Sequence, residues 1–398
     1  MCTDILPCMR STPRVGFDAL FLEQPMTGAG QYAQQLWSHL LQQRHQIDPL
    51  LCMPADAPER VLQLAPPEQT VAIRPPRAAM PRRVRKIWWE QRGLPAATLE
   101  ARPSLVHVPY WSAPLSQTVP HIVTIHDVIP LMLPAYGGSL QMRLYLRGTI
   151  SATKRAHLIL TDSAYSRDDI VRRLRIPAER IRVIPLAVGS LFSTDLPHDE
   201  AQQRVQQRFG ISGPFVLNVG GLDVRKRIPQ VLEAFAQVLP QLPADMRLVI
   251  VGRAHTGNPR MYPDITGRIS ALGLTSRVHL TGFVSEEEKR DLYRAAQQFV
   301  FASEYEGFGL TPLEAMACGL PTISSNRSSL PEVVGDGGLQ VTPEPDDLAA
   351  AMLRLANDSA LRSDLAQRGV QQAARFTWER TAAQTLSAYH EVLETARH

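Results

Sequence analysis

Short apolar runs alternate with helically spaced apolar residues along nearly the whole chain. Runs rich in Val, Ile, Leu and Phe occur at Arg14–Ala19, Leu105–Val108, His121–Ile125, Leu158–Thr161 and Arg182–Ile184. A second set follows at Phe215–Val219, Arg247–Val251, Val278–Leu280, Phe299–Ala302, Thr322–Ser324 and Leu339–Val341. They are too short for helices and too uniformly apolar for strands with one wet face. They predict strands buried on both faces, as in a parallel sheet covered by helices. Between them, Gln31–Gln42, Ser166–Leu174, Gln230–Leu239, Glu286–Gln297 and Asp347–Leu355 repeat apolar residues at three- and four-residue spacing, the mark of an amphipathic helix. Such alternation predicts doubly wound α/β units.

The alternation pauses once. From Ala187 to Pro214 the chain is polar and carries no strand pattern, and a new run opens at Phe215. The resulting division is a leader over 1–13, an α/β domain over 14–190, a linker over 191–213 and a second α/β domain over 214–377. A last helix over 378–398 presents Leu386, Tyr389, Val392 and Leu393 on one face. A chain of 398 residues accommodates two such domains. Their ligands are expected at the carboxyl ends of the strands.

Composition narrows the class. The net charge of +4 does not suit a general nucleic-acid binder, and no nucleic-acid partner is expected. No uninterrupted apolar stretch reaches the roughly 18–20 residues of a spanning helix. The first residues lack the apolar core of a signal peptide. The expected location is the cytoplasm, at the inner face of the membrane. The four cysteines, Cys2, Cys8, Cys52 and Cys318, form no C-x-x-C pair and no zinc spacing with histidine. Basic residues crowd one stretch: Arg74, Arg77, Arg82, Arg83, Arg85, Lys86 and Arg92, with Trp88 and Trp89 among them. That composition leaves two readings: docking of Arg74–Arg92 on anionic lipid, or a solvated helix whose tryptophans pack inward.

Four segments carry candidate chemistry. In Glu306-Gly-Phe-Gly-Leu-Thr-Pro-Leu-Glu314 a turn with Gly307 and Gly309 leads from a strand into a helix, with Pro312 suited to the first turn. Glycine admits a ligand close to the backbone, and free N–H groups at a helix start favour anions. Glu306 and Glu314 bracket that cradle, and carboxylates bind hydroxyls strongly. In Gly220-Gly221-Leu222-Asp223-Val224-Arg225-Lys226-Arg227 another strand-to-helix turn brings cations to a mouth opened by two glycines, which suits a diphosphate. His126, at the end of the strand in Thr124-Ile-His-Asp127, faces the expected cleft. Asp127 is placed either to orient its ring or to cap the next turn. Gly28 and Gly30 open the first helix.

Together these segments resemble the retaining glycosyltransferases of family 4, over about Val15 to Leu393. The most specific element is the E-x7-E signature of Glu306 and Glu314. Leu330-Pro-Glu-Val-Val-Gly-Asp336 and Phe376-Thr-Trp378 also fit the family. The resemblance implies a GT-B fold: two Rossmann-like domains facing across a cleft, an N-terminal one for the acceptor and a C-terminal one for the nucleotide sugar. It implies a terminal helix crossing back to the first domain. It implies that Glu314 holds the ribose, and that Glu306 with the backbone of Phe308, Gly309 and Leu310 holds the sugar and β-phosphate. Arg225 and Lys226 would neutralise the diphosphate beside Gly220 and Gly221, His126 would contact the sugar near its reacting carbon, and Gly28 would admit the diphosphate from the other side. Many relatives carry Arg where this chain has Gly221, which shifts neutralisation onto Arg225 and Lys226. No metal or other cofactor is implied; the donor is a co-substrate, with GDP-mannose favoured over a UDP- or dTDP-sugar. The acceptor is a glycan or lipid-linked hydroxyl of cell-surface polysaccharide assembly. A sugar-nucleotide epimerase of the same fold and a non-catalytic sugar-nucleotide-binding subunit are the alternatives.

Overall fold

A computed structural model describes residues 12–76, 80–136, 138, 140–253 and 258–396. The apolar runs form two sheets in which every strand pair is parallel. The first contains β1 (Arg14–Asp18), β2 (Asp48–Pro54), β3 (Thr70–Ile73), β4 (Leu105–Val108), β5 (His121–Thr124), β6 (Leu158–Thr161) and β7 (Ile181–Val183), in the order β3-β2-β1-β4-β5-β6-β7. The second contains β8 (Phe215–Val219), β9 (Arg247–Val251), β10 (Val278–Gly282), β11 (Gln298–Phe301), β12 (Thr322–Ser325) and β13 (Leu339–Val341), in the order β10-β9-β8-β11-β12-β13. Central strands such as β4, β5, β6, β8 and β11 are buried at every position, as their unbroken apolar runs require. Strand order reverses between β1 and β4 and again between β8 and β11. At such switch points the loops leaving the carboxyl ends splay apart and open a crevice.

β2 and β3 do not stand out in the sequence. β2 carries Pro49 and Pro54, which read as turn residues, but both lie near its ends, so few ladder donors are lost. β3 is a short edge strand, half-exposed. The stretch expected to be a linker contains a helix, His198–Phe209, whose Ala201 and Val205 pack with Leu292 and Tyr293 of helix Glu286–Ala295. The expected leader lies outside the described residues except for its last two.

Much of the basic stretch turns inward. Trp89 is fully buried and its Nε1 donates to Asp18 Oδ1 at 2.8 Å. Arg85 donates to both Glu23 oxygens, at 2.7 and 2.8 Å, and to Asp56 at 2.8 Å. Lys86 pairs with the buried Glu90 and with Tyr145. Docking by Arg74–Arg92 as one surface is therefore corrected. Both of its tryptophans, Trp89 fully and Trp88 partly buried, and two of its cations serve the fold, and Arg77 lies outside the described residues. Arg74, Arg82, Arg83 and Arg92 remain exposed.

The terminal helix, Trp378–Thr395, returns to the first sheet. Its Trp378, Leu386, Tyr389 and Leu393 share a core with Leu36, Trp37 and Leu40 of helix Gly28–Leu41. His107 Nδ1 lies 2.7 Å from the Tyr389 hydroxyl, and Thr381 Oγ1 donates to the Pro185 carbonyl at 2.8 Å.

Candidate active site

The two switch points face one another across a cleft of about 680 Å³. All eleven residues to which the family resemblance gives a role line it: Gly28, His126, Gly220, Gly221, Arg225, Lys226, Glu306, Phe308, Gly309, Leu310 and Glu314. They come from loops after β1, β5, β8 and β11, the strands at or beside the two reversals.

Glu306 is the electrostatic centre. Its Oε2 lies 2.6 Å from Arg225 Nη1 and its Oε1 2.6 Å from Lys226 Nζ. Burial alone would raise its carboxyl, but the two adjacent cations overcome this and hold it down to about 2. Lys226 is pushed below its ordinary value by burial and by Arg225, against the pull of Glu306. Its ammonium also sits 4.6 Å above the Phe301 ring. Asp223 accepts from the Arg225 amide at 3.2 Å and starts the turn Val224–Lys226 that aims both cations. The Glu306 amide donates to Ser328 Oγ, and Ser329 Oγ donates to the carbonyls of Glu306 and Phe308. The cradle is thus tied down by a loop whose sequence carries no obvious signal.

Gly309 has φ of +127°, where a side chain would be strained, and it starts helix Leu310–Ala317. The free amides of that helix open on the cleft. Glu314, in its second turn, is 4% exposed and accepts from Lys289 Nζ and the Tyr293 hydroxyl, both at 3.1 Å. Burial pushes it up to about 7, with Lys289 opposing. Lys289 also lines the cleft and bridges to Glu286 at 3.0 Å. In the first half Gly28 borders open space, whereas a Cβ on Gly30 would lie 1.9 Å from the Gln24 carbonyl oxygen. Gly30 is therefore the packing glycine, and Gly28 is the one on the cleft.

His126 lies two residues beyond β5 rather than at its end. Its Nδ1 is 2.8 Å from Asp162 Oδ2, and its ring meets Tyr32 edge-on at 4.8 Å. Burial disfavours the imidazolium, but Asp162 outweighs it and the ring is held above its ordinary value. Its Nε2 is buried and has no hydrogen-bond partner among the described residues. Asp127 does not orient the ring; it accepts the Ile129 amide at 2.9 Å and caps the next turn. Asp162 follows β6 directly, so the strand-end rule that selects His126 applies to it equally.

The halves touch at the cleft floor. A Cβ on Gly307 would lie 2.2 Å from the His126 carbonyl oxygen. The Gly307 carbonyl accepts from Ser163 Oγ at 2.7 Å and Ser166 Oγ at 2.9 Å, and Tyr305 donates to Asp169 at 2.6 Å.

Residues 26–189 match the model of "Glycosyltransferase Family 4" and residues 199–372 that of "Glycosyl transferases group 1". The chain is 35% identical over 272 residues to O-antigen chain mannosyltransferase B of Escherichia coli, a match covering 67% of this chain and 69% of that one. It is 28% identical over 279 residues to the serotype-specific mannosyltransferase WbdA of Escherichia coli, covering 69% of this chain but 34% of that longer protein. In fold it is similar to the sucrose-phosphate synthase of Thermosynechococcus elongatus, with TM-score 0.73 and 23% identity over 96% of this chain and all of that one. It is similar also to WaaG, a glycosyltransferase involved in lipopolysaccharide biosynthesis, with TM-score 0.70 and 17% identity over 94% and 99% of the two chains. The chain belongs to the family 4 glycosyltransferases and is a hexosyltransferase of the GT-B fold.

Proposed function

We propose that this glycosyltransferase moves mannose from GDP-mannose, with retention, to a hydroxyl of a glycan or lipid-linked acceptor in cell-surface polysaccharide assembly. The observation that carries the reading is the pairing of Glu306 with both Arg225 and Lys226 in a cleft floored by a glycine-opened helix start. A diphosphate entering there competes with Glu306 for the two cations and finds the amides of Phe308 to Leu310 opposite. Glu306, released, is free to accept from sugar hydroxyls, and Glu314 from the ribose. The anomeric C–O bond to the β-phosphate breaks and the acceptor oxygen bonds the same carbon from the same face. The acceptor proton passes to the leaving phosphate. Charge growing on that phosphate is met by donors already in place, each worth a few kcal/mol (roughly 3–4) when removed from comparable sites. The preference for mannose rests on the two mannosyltransferases to which the chain is similar. UDP- and dTDP-sugars are the competing donors.

The reaction is placed at the inner face of the membrane, where a lipid-linked acceptor would lie. We read contact with the membrane as peripheral, and no helix among the described residues is long and apolar enough to cross a bilayer.

Thermal-shift screening against GDP-mannose, GDP, UDP-glucose and a dTDP-sugar tests the donor. The largest shift is expected with the guanosine nucleotides. A larger shift with a uridine or thymidine nucleotide overturns the GDP-mannose assignment. The anomeric configuration of the isolated product tests retention.

A further inference from the structure

Exposed apolar residues concentrate on two neighbouring helices of the first half. Helix Arg82–Trp88 exposes Val84 and Ile87, and helix Leu140–Thr153 exposes Leu140 at 70% and Leu144 at 56%. The two are joined beneath by Lys86, which bonds both Tyr145 and the buried Glu90, and by Tyr145, whose hydroxyl donates to Glu90 at 3.0 Å.

The charge on these helices has one sign. Neither contains an Asp or Glu. Arg82, Arg83, Arg143 and Arg147 are exposed, and among the described residues none pairs with a carboxylate. Leu140, Arg143, Leu144 and Arg147 follow at three- and four-residue spacing, so leucine and arginine share one stripe. Between Leu140–Thr153 and the short helix Ile129–Met132 runs a groove of about 490 Å³ lined by Leu131, Met132, Leu146 and Ile150 with both arginines. Ile129 borders the active-site cleft and Pro130 this groove, so the two are one residue apart along the chain. The asymmetry extends further. Residues 1–190 hold 22 Lys and Arg against 14 Asp and Glu, whereas residues 191–398 hold 20 against 24.

We propose that the composite face of Arg82, Arg83, Val84, Ile87, Leu140, Arg143, Leu144 and Arg147 docks on an anionic lipid bilayer. The leucines enter the interface, while the arginines reach head-group phosphates and keep their stems against the apolar layer. Pairing with a second copy would set unpaired arginines of one sign against each other, whereas an anionic surface neutralises them. The face lies on the half expected to take the acceptor, beside the groove whose Pro130 adjoins the cleft residue Ile129. The inference rests on the peripheral-membrane part of the proposed function and replaces the single stretch Arg74–Arg92 with two helices.

The test is co-sedimentation of the full chain with phosphatidylcholine vesicles, with and without phosphatidylglycerol. Wild type is expected to sediment only with the anionic vesicles, and less as salt rises. Leu140→Ser/Leu144→Ser and Arg143→Gln/Arg147→Gln should each lower partitioning about tenfold or more. Circular dichroism and the thermal shift with GDP report that these variants remain folded and keep the donor site. Absence of wild-type binding to anionic vesicles at low salt overturns the proposal, as does wild-type-like binding by both variants. So does a dimer in sedimentation velocity that the leucine variant disperses. A missing GDP shift in wild type would count against the donor reading and leave this one standing.

Discussion

The carboxylate of Glu332, in the second half, accepts the backbone amides of Ala164 at 2.8 Å and Tyr165 at 2.7 Å in the first. It thereby caps helix Ala164–Leu174 from across the cleft, beside the helix's own cap, Ser163. A carboxylate at a helix start is favoured by the amide groups and the helix dipole. Glu332→Ala is expected to cost about 1 kcal/mol in urea unfolding. It should also loosen closure, so that donor hydrolysis without acceptor rises relative to transfer. An unchanged ratio of hydrolysis to transfer would show that the contact has no part in closure.

Lys226→Ala removes one of the two cations on Glu306. kcat is expected to fall about 10²–10³-fold, the usual effect of losing one preorganised donor to a developing anion. Single-turnover measurement at saturating donor isolates that effect from binding. Undiminished kcat would contradict the role given to the residue.

Gly307→Ala places a methyl group against the His126 backbone carbonyl, which cannot turn aside. The halves must separate. Small-angle scattering should show a larger radius of gyration, circular dichroism should be little changed, and transfer should be lost. A compact, active Gly307→Ala protein would mean that the close approach is not needed.

The pH dependence of stability tests the buried state of Glu314. Its pKa in the folded protein, about 7, exceeds the ordinary 4.5, so the native state binds the proton more tightly than the unfolded chain. The stabilisation is complete below 4.5 and is lost as pH rises through 7. It amounts to at most roughly 3 kcal/mol. Urea titrations across that window should show this decline in wild type and its reduction in Glu314→Gln. Parallel curves for the two proteins would place the ionisation elsewhere.

The chemistry proved more legible than its supports. Glycine turns, cations and carboxylates next to strand ends mark Glu306, Lys226 and His126 because each lies in a compact local motif. Their partners do not. Asp162, Ser328, Ser329 and Lys289 reach the site from other elements, and only tertiary packing brings them in. Asp162 could have been found by applying to β6 the rule used for β5. The strands β2 and β3 were obscured by proline and by exposure, and the basic stretch left two readings open because linear composition does not show which residues face inward. Trp89 is the clearest instance: an interfacial residue by composition, an interior one by position.

The return of helix Trp378–Thr395 to the first sheet orders events during synthesis. The first half waits for residues made after the second, since Trp378, Leu386 and Tyr389 belong to its interior. While the ribosome adds the second half, the first must persist with part of its apolar surface bare. A nascent chain halted before residue 378 would present that surface to chaperones, and emergence of helix Trp378–Thr395 would withdraw it.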